Sequence, residues 1–61
     1  MKLIKFLIEN NLTVSMSDGK RIVFLGGVKV NGEKETDFHR ELMDGDVIEF
    51  RKQEFIYHTA L

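Results

Sequence analysis

The chain has 61 residues, 43% of them hydrophobic and 31% charged, with no cysteine, no proline and a formal net charge of −1. That length makes one domain, residues 1–61, which buries only about 60% of its unfolded surface, so an enclosed active site with its supporting shell is close to excluded. Without cysteine there is no disulfide framework, cysteine zinc site or thiol nucleophile, and no apolar run approaches the roughly 20 residues that span a bilayer, so a packed core must hold the domain; a cytoplasmic location is the expectation, which the lack of cysteine permits but does not demand.

Leu3, Phe6 and Leu7 fall at helical spacing, with Ile4 and Ile8 widening the stripe, and predict a first helix over residues 2–10. The same stretch has the outline of a signal peptide, but Lys5 and Glu9 interrupt it and no small-residue cleavage site follows. Asn10-Asn11 closes the helix, because asparagine tolerates the left-handed conformation that helix ends adopt. Leu12 and Val14 belong to an irregular connection. Ser15 then caps a second helix through its hydroxyl, with Asp18 in the capping-box position. That helix runs to Leu25 and stops at Gly26-Gly27. Gly19 inside it costs about 1 kcal/mol against alanine.

From residue 28 the period changes to two. Val28-Lys29-Val30 reads as a strand, Asn31-Gly32 as a hairpin turn needing positive φ, and residues 33–36 as the returning strand. Residues 37–43 form a loop that drops Phe38 and Leu42 onto the core, and Asp44-Gly45 is a second turn. Residues 47–51 and 55–58 are strands, with Lys52-Gln53-Glu54 between them. Two N-terminal helices packed on a small, mostly antiparallel sheet place the chain in the α+β class. The expected core is Leu3, Phe6, Leu7, Ile22, Val23, Val28, Val30, Ile48 and Phe50.

Charge is divided unevenly. Lys2, Lys5, Lys20, Arg21 and Lys29 against Glu9 and Asp18 leave residues 1–32 with a surplus of three positive charges. Lys34 and Arg40 against Glu33, Glu35, Asp37, Glu41, Asp44 and Asp46 leave residues 33–46 with four negative ones. An anion site therefore belongs to the first half, and the acidic loop at 35–46 is expected to face away from it. Lys20 and Arg21 are expected near the positive end of the second helix, with Lys29 and Lys34 extending a track that suits phosphates.

Few residues invite other chemistry. His39 with Asp37 and Glu41 is one histidine beside two flexible carboxylates, and it reads as a solvated loop and not as a metal site. Ser15 and Ser17 have no base arranged beside them. Gly26-Gly27 follows a helix, so its neighbours are carbonyls that repel phosphate. Phe6, Phe50, Phe55 and Tyr57 read as core aromatics. No catalytic residue, metal or cofactor is expected.

The stretch Ser15-Met-Ser-Asp-Gly-Lys-Arg-Ile-Val-Phe-Leu-Gly-Gly-Val-Lys-Val-Asn-Gly-Glu-Lys, continued by Leu42-Met-Asp-Gly-Asp-Val-Ile-Glu-Phe, resembles the ribosomal-protein-S-four-type RNA-binding domain. Lys2-Leu-Ile-Lys-Phe-Leu resembles that family's first helix. Arg51-Lys-Gln-Glu-Phe-Ile-Tyr resembles the last strand of the version appended to bacterial-type tyrosyl-tRNA synthetases. The resemblance implies non-catalytic recognition of structured RNA, ribosomal or transfer, through phosphate and shape contacts, with the ribosome or a translation protein as a further partner. It implicates Lys2, Lys5, Ser15, Lys20, Arg21, Lys29, Asn31 and Lys34. The chain departs from the family's pattern at Met16, where a basic residue is common, at Phe24, where a lysine is common, and at Ile4, which replaces an acid.

Two other readings stay open. Met16 and Phe24, if exposed, form an apolar contact patch for a protein partner. The chain also fits an appended domain of a larger translation or RNA-modifying enzyme. A sulfur-carrier β-grasp protein needs a C-terminal Gly-Gly, where this chain has Thr59-Ala60-Leu61.

Overall fold

The computed structural model describes residues 1–59, so Ala60 and Leu61 of the expected domain lie outside the described residues. Helix α1 spans Leu3–Glu9 and α2 spans Met16–Phe24. Helices this short depend on their ends. The start of α1 has no side-chain cap. Instead, the N–H groups of Leu3 and Ile4 donate to the carbonyls of Arg40 and Phe38, at 2.8 and 3.0 Å. Helix α2 has the serine cap that its sequence predicts: Ser15 Oγ accepts from the Asp18 N–H at 3.1 Å.

Both helices close in the same way. Leu12 N–H reaches Leu7 O at 2.9 Å and Asn11 N–H reaches Ile8 O at 3.0 Å, with Asn11 at φ 58°. Gly27 N–H reaches Ile22 O at 2.9 Å and Gly26 N–H reaches Val23 O at 3.0 Å, with Gly26 at φ 82°. This paired bonding around one left-handed residue satisfies carbonyls that a helix end otherwise leaves free.

The sheet holds β1 (Val28–Val30), β2 (Glu33–Lys34), β3 (Val47–Phe50) and β4 (Gln53–Ile56), in spatial order β2-β1-β3-β4. Every adjacent pair is antiparallel. Four strand boundaries differ from expectation. Strand β2 ends at Lys34: the Glu35 N–H still donates to Val28 O at 3.0 Å, and beyond it the chain turns, with the Glu35 carboxylate bonding the Asp37 N–H and Arg40. Strand β3 stops at Phe50 because Arg51 takes φ 53°. Lys52 follows at φ 67°, so Arg51-Lys52 is a tight turn and β4 begins at Gln53, two residues before the predicted strand. Tyr57 and His58 fall beyond it, although Tyr57 still exchanges backbone bonds with Gly45 and Asp46.

The inner face of the sheet presents Val28, Val30, Ile48 and Phe50 to Leu3, Phe6 and Leu7 of α1, Val23 of α2 and Leu42 of the loop. These residues are buried, and burying each such side chain stabilises by about 1.5–3 kcal/mol. Ile22, expected in the core, is only half-buried and packs at its margin. Ile4, which was not expected there, is buried against α2. Among the described residues no helix is long and apolar enough to cross a membrane.

Candidate functional site

Helix α1 turns Leu3, Phe6 and Leu7 toward the sheet, which leaves Ile4 and Ile8, one turn apart, toward α2. Helix α2 buries Gly19 and Val23, which brings Met16 and Lys20 to its margin. Between the two helices lies an open groove of about 520 Å³. Ile4, Ile8 and Met16 give it apolar walls, and Lys2, Lys5 and Lys20 stand around it. Three cations from two helices thus share one concave surface.

The loop after β2 completes the groove. Lys20 Nζ lies 5.0 Å from the centre of the Phe38 ring. That ring rests against the His39 imidazole, with centroids 4.4 Å apart and planes tilted by 51°. His39 forms a wall of the groove. The acidic loop therefore does not turn wholly away from the basic surface, as its charge had led one to expect. The reason is the bare start of α1, whose N–H groups take their acceptors from this loop. Glu41 closes on the same point, bonding the Met1 amine, which together with nearby Lys2 holds its carboxyl below the ordinary range.

The cations differ in what already holds them. Arg21 is 3.2 Å from Asp18 and Lys5 is 3.9 Å from Glu9. Lys2 and Lys20 form no ion pair among the described residues. The expected coupling of Lys20 and Arg21 to a positive helix end does not occur. Lys20 is the fifth residue of α2, Arg21 lies in its last turn, and the first turn carries Asp18. With the helix starting at Met16, residues 20 and 21 already lie beyond its first turn.

Lys29 and Lys34 occupy a different surface. Lys29 is the outward residue of β1, and the register sets Lys34 opposite it on one side and Glu49 on the other, with Glu54 beyond. A row of two cations and two carboxylates crosses the outer face of the sheet. The Lys34 stem is laid over Gly26: a Cβ there would stand 2.6 Å from Lys34 Cδ. That position sets the lysine by the C-terminal end of α2, where a cation is favoured.

The side chains of Asn31 and Ser15 are already engaged within the fold. Asn31 sits at φ 55° and its N–H bonds Val47 O at 2.8 Å. Its side chain donates to Asp46 at 3.0 Å and accepts from the Val47 N–H at 2.9 Å. Asp46 also accepts from the Met43 N–H at 2.9 Å. That bond first, and the Asn31 amide second, hold the Asp46 carboxyl below its ordinary range. Arg40 does the same for Glu35, at 2.8 Å, with help from the Asp37 N–H. Ser15 is committed to the cap of α2.

Of the eight residues singled out in the sequence, folding brings Lys2, Lys5 and Lys20 together, and Lys29 beside Lys34. It pairs Arg21 with Asp18. The sequence reading missed His39 as a groove residue, because its position depends on the capping of α1. It also missed Arg51-Lys52 as a basic turn, because arginine and lysine seldom take left-handed turn positions. Ile4 and Ile8, four apart and flanking Lys5, were the signal for the groove's apolar wall. Met16 and Phe24 are 53% and 73% exposed, but they stand at opposite ends of α2, with Met16 on the groove. Among the described residues no three metal-ligating side chains gather.

Comparison with known proteins adds a family. Residues 1–56 match the family model of the S4 domain. The tyrosine–tRNA ligase of Clostridium perfringens (strain SM101 / Type A) is 40% identical over 45 residues, covering 74% of this chain and 11% of that protein. The tyrosine–tRNA ligase of Geobacter sulfurreducens is 46% identical over 55 residues, covering 87% of this chain and 14% of that protein. The chain thus corresponds to a small fraction of the length of these curated relatives.

Proposed function

The chain belongs to the S4 domain family, and from that premise we propose that it is a non-catalytic module that holds structured RNA by phosphate and shape contacts. The observation that carries this reading is the gathering of Lys2, Lys5 and Lys20 around one groove, with Lys2 and Lys20 free of ion pairs among the described residues. Such an array suits phosphate oxygens and not base edges, and a paired RNA offers its backbone while hiding base identity in a deep groove. Transfer RNA is the first candidate, since the relatives are tyrosine–tRNA ligases. The ligase reaction itself is not assigned to this chain. A cytoplasmic location belongs to the same proposal. Lys29 and Lys34 extend the contact if the RNA also reaches the edge of the sheet.

The test is titration of a transfer RNA followed by backbone amide shifts. With about four phosphate contacts, affinity should fall about a hundredfold between about 50 and 200 mM salt. Lys2→Glu with Lys20→Glu should abolish binding, and Asp44→Asn should leave it unchanged. Shifts confined to residues 43–47, or none at low salt, refute the reading. A protein-docking role then leads, supported by exposed Phe24 and Leu25 at the end of α2.

A further inference from the structure

We propose that the groove between α1 and α2 receives one unpaired nucleotide of the RNA, its base lying along Ile4, Ile8 and Met16 and against His39. This rests on the RNA reading above and names the feature the RNA must carry.

The groove is the wrong shape for a duplex. A paired stem is convex and presents phosphates, so it can rest on lysine tips but cannot enter a recess. The recess has about 520 Å³, within the roughly 300–1,000 Å³ of sites that take small ligands. Its chemistry is also divided in the way a nucleotide is. The walls are apolar carbon, suited to the faces of a heteroaromatic ring. The rim carries three lysines, suited to the phosphates on either side of that ring. The His39 imidazole, set in place by Phe38, offers a flat partner for stacking. Glu9 also lines the groove, but its carboxylate is directed to Lys5 at 3.9 Å. A purely phosphate-binding surface has no use for exposed Met16, and a purely apolar docking site has no use for three lysines on its rim. A base extruded from its stack, with flanking phosphates, satisfies both.

The experiment compares three RNA hairpins with one stem sequence: fully paired, with a single bulged adenosine, and with an abasic site at the bulge. The 61-residue chain is titrated with each. The bulged hairpin should bind about tenfold more tightly than the paired one, as burial of part of one base warrants. The abasic hairpin should return to the paired affinity. With 2-aminopurine at the bulge, fluorescence should change on binding. Met16→Ala cuts back an apolar wall of the groove and His39→Ala removes the stacking wall, with the three lysines kept. Each should lower the ratio of bulged to paired affinity. Equal affinity for all three hairpins overturns the nucleotide site while leaving the RNA reading standing. No binding of any hairpin at low salt overturns both, and capture of an apolar peptide by the same groove points to a protein occupant instead.

Discussion

Gly19→Ala should destabilise this domain, against the propensity rule that favours alanine inside a helix. Propensity alone awards the change about 1 kcal/mol. The structure opposes it. A methyl group at Gly19 would stand 2.4 Å from Ile4 Cδ1 and 3.2 Å from Thr13 Oγ1, where carbon contacts are normally about 3.5–4.0 Å. Ile4 is 4% exposed and Thr13 7%, so any shift of either gives up buried contacts, even where Ile4 can swing toward the groove it walls. Overpacking of this kind costs about 1–3 kcal/mol. The net loss is therefore about 1 kcal/mol, or about 4–8 °C in Tm for a domain of this size. A double-mutant cycle makes the cause visible. Ile4→Val deletes the clashing Cδ1 and costs about 0.5–1.5 kcal/mol alone. In that background Gly19→Ala should be neutral or stabilising, a coupling of about 1–2 kcal/mol. Urea unfolding of the four proteins reads the cycle. If Gly19→Ala stabilises the parent, or if the two changes add within about 0.5 kcal/mol, the close helix contact is not the reason for the glycine.

Other outcomes follow from the same packing. Phe6→Ala should cost about 3–5 kcal/mol, close to the whole stability of a small domain, because Phe6 is buried and meets Tyr57 edge-on at 6.1 Å; a melting temperature within a few degrees of the parent refutes its core position. Asn31→Ala should cost about 1–2 kcal/mol by removing two hydrogen bonds to the Asp46-Val47 segment, with amide shifts spreading to Met43 and Val47. Glu35, Glu41 and Asp46 are all held below their ordinary carboxylate range when folded, so the stability they contribute is fully present above about pH 5 and is lost as pH falls through about 4 toward their depressed values; Asp46→Asn should flatten that acid limb in a series of thermal melts.

Local chemistry was legible in the sequence wherever a residue type answers a local need. Ser15, Asn11 and Gly26 satisfy helix ends within a few residues of themselves, and Asn31-Gly32 closes its own turn, so these elements stand where the sequence placed them. Boundaries failed where a distant partner decided. Strand β2 ends early at the turn that follows Glu35, whose carboxylate binds the Asp37 N–H and Arg40. The last hairpin turns at Arg51-Lys52, and nothing in those side chains announces a left-handed pair. The eight candidate residues were chosen by charge and by resemblance; the alternation of Val28-Lys29-Val30 turns Lys29 outward, but charge alone does not show that this face is separate from the one bearing Lys20. Lys29 is separated from Lys20 by the alternation of β1, and Asn31 is drawn into the Asp46 network fifteen residues away. His39 reached the groove because two N–H groups at the start of α1 needed carbonyls, a demand that sequence spacing does not display.

The same demand explains how a chain of net charge −1 presents a cationic groove. The acids nearest the lysines are spoken for. Glu41 is held by the Met1 amine, and Arg40 stands 2.8 Å from Glu35 and 4.0 Å from Asp46. Asp18 faces Arg21 and Glu9 faces Lys5. A carboxylate paired within about 4 Å projects little field past its partner, and the rest is screened within about 10 Å at moderate salt. Lys2 and Lys20, without such partners among the described residues, keep theirs. What an approaching polyanion meets is set by which charges folding leaves unmatched on that face, and the formal total reports only their sum.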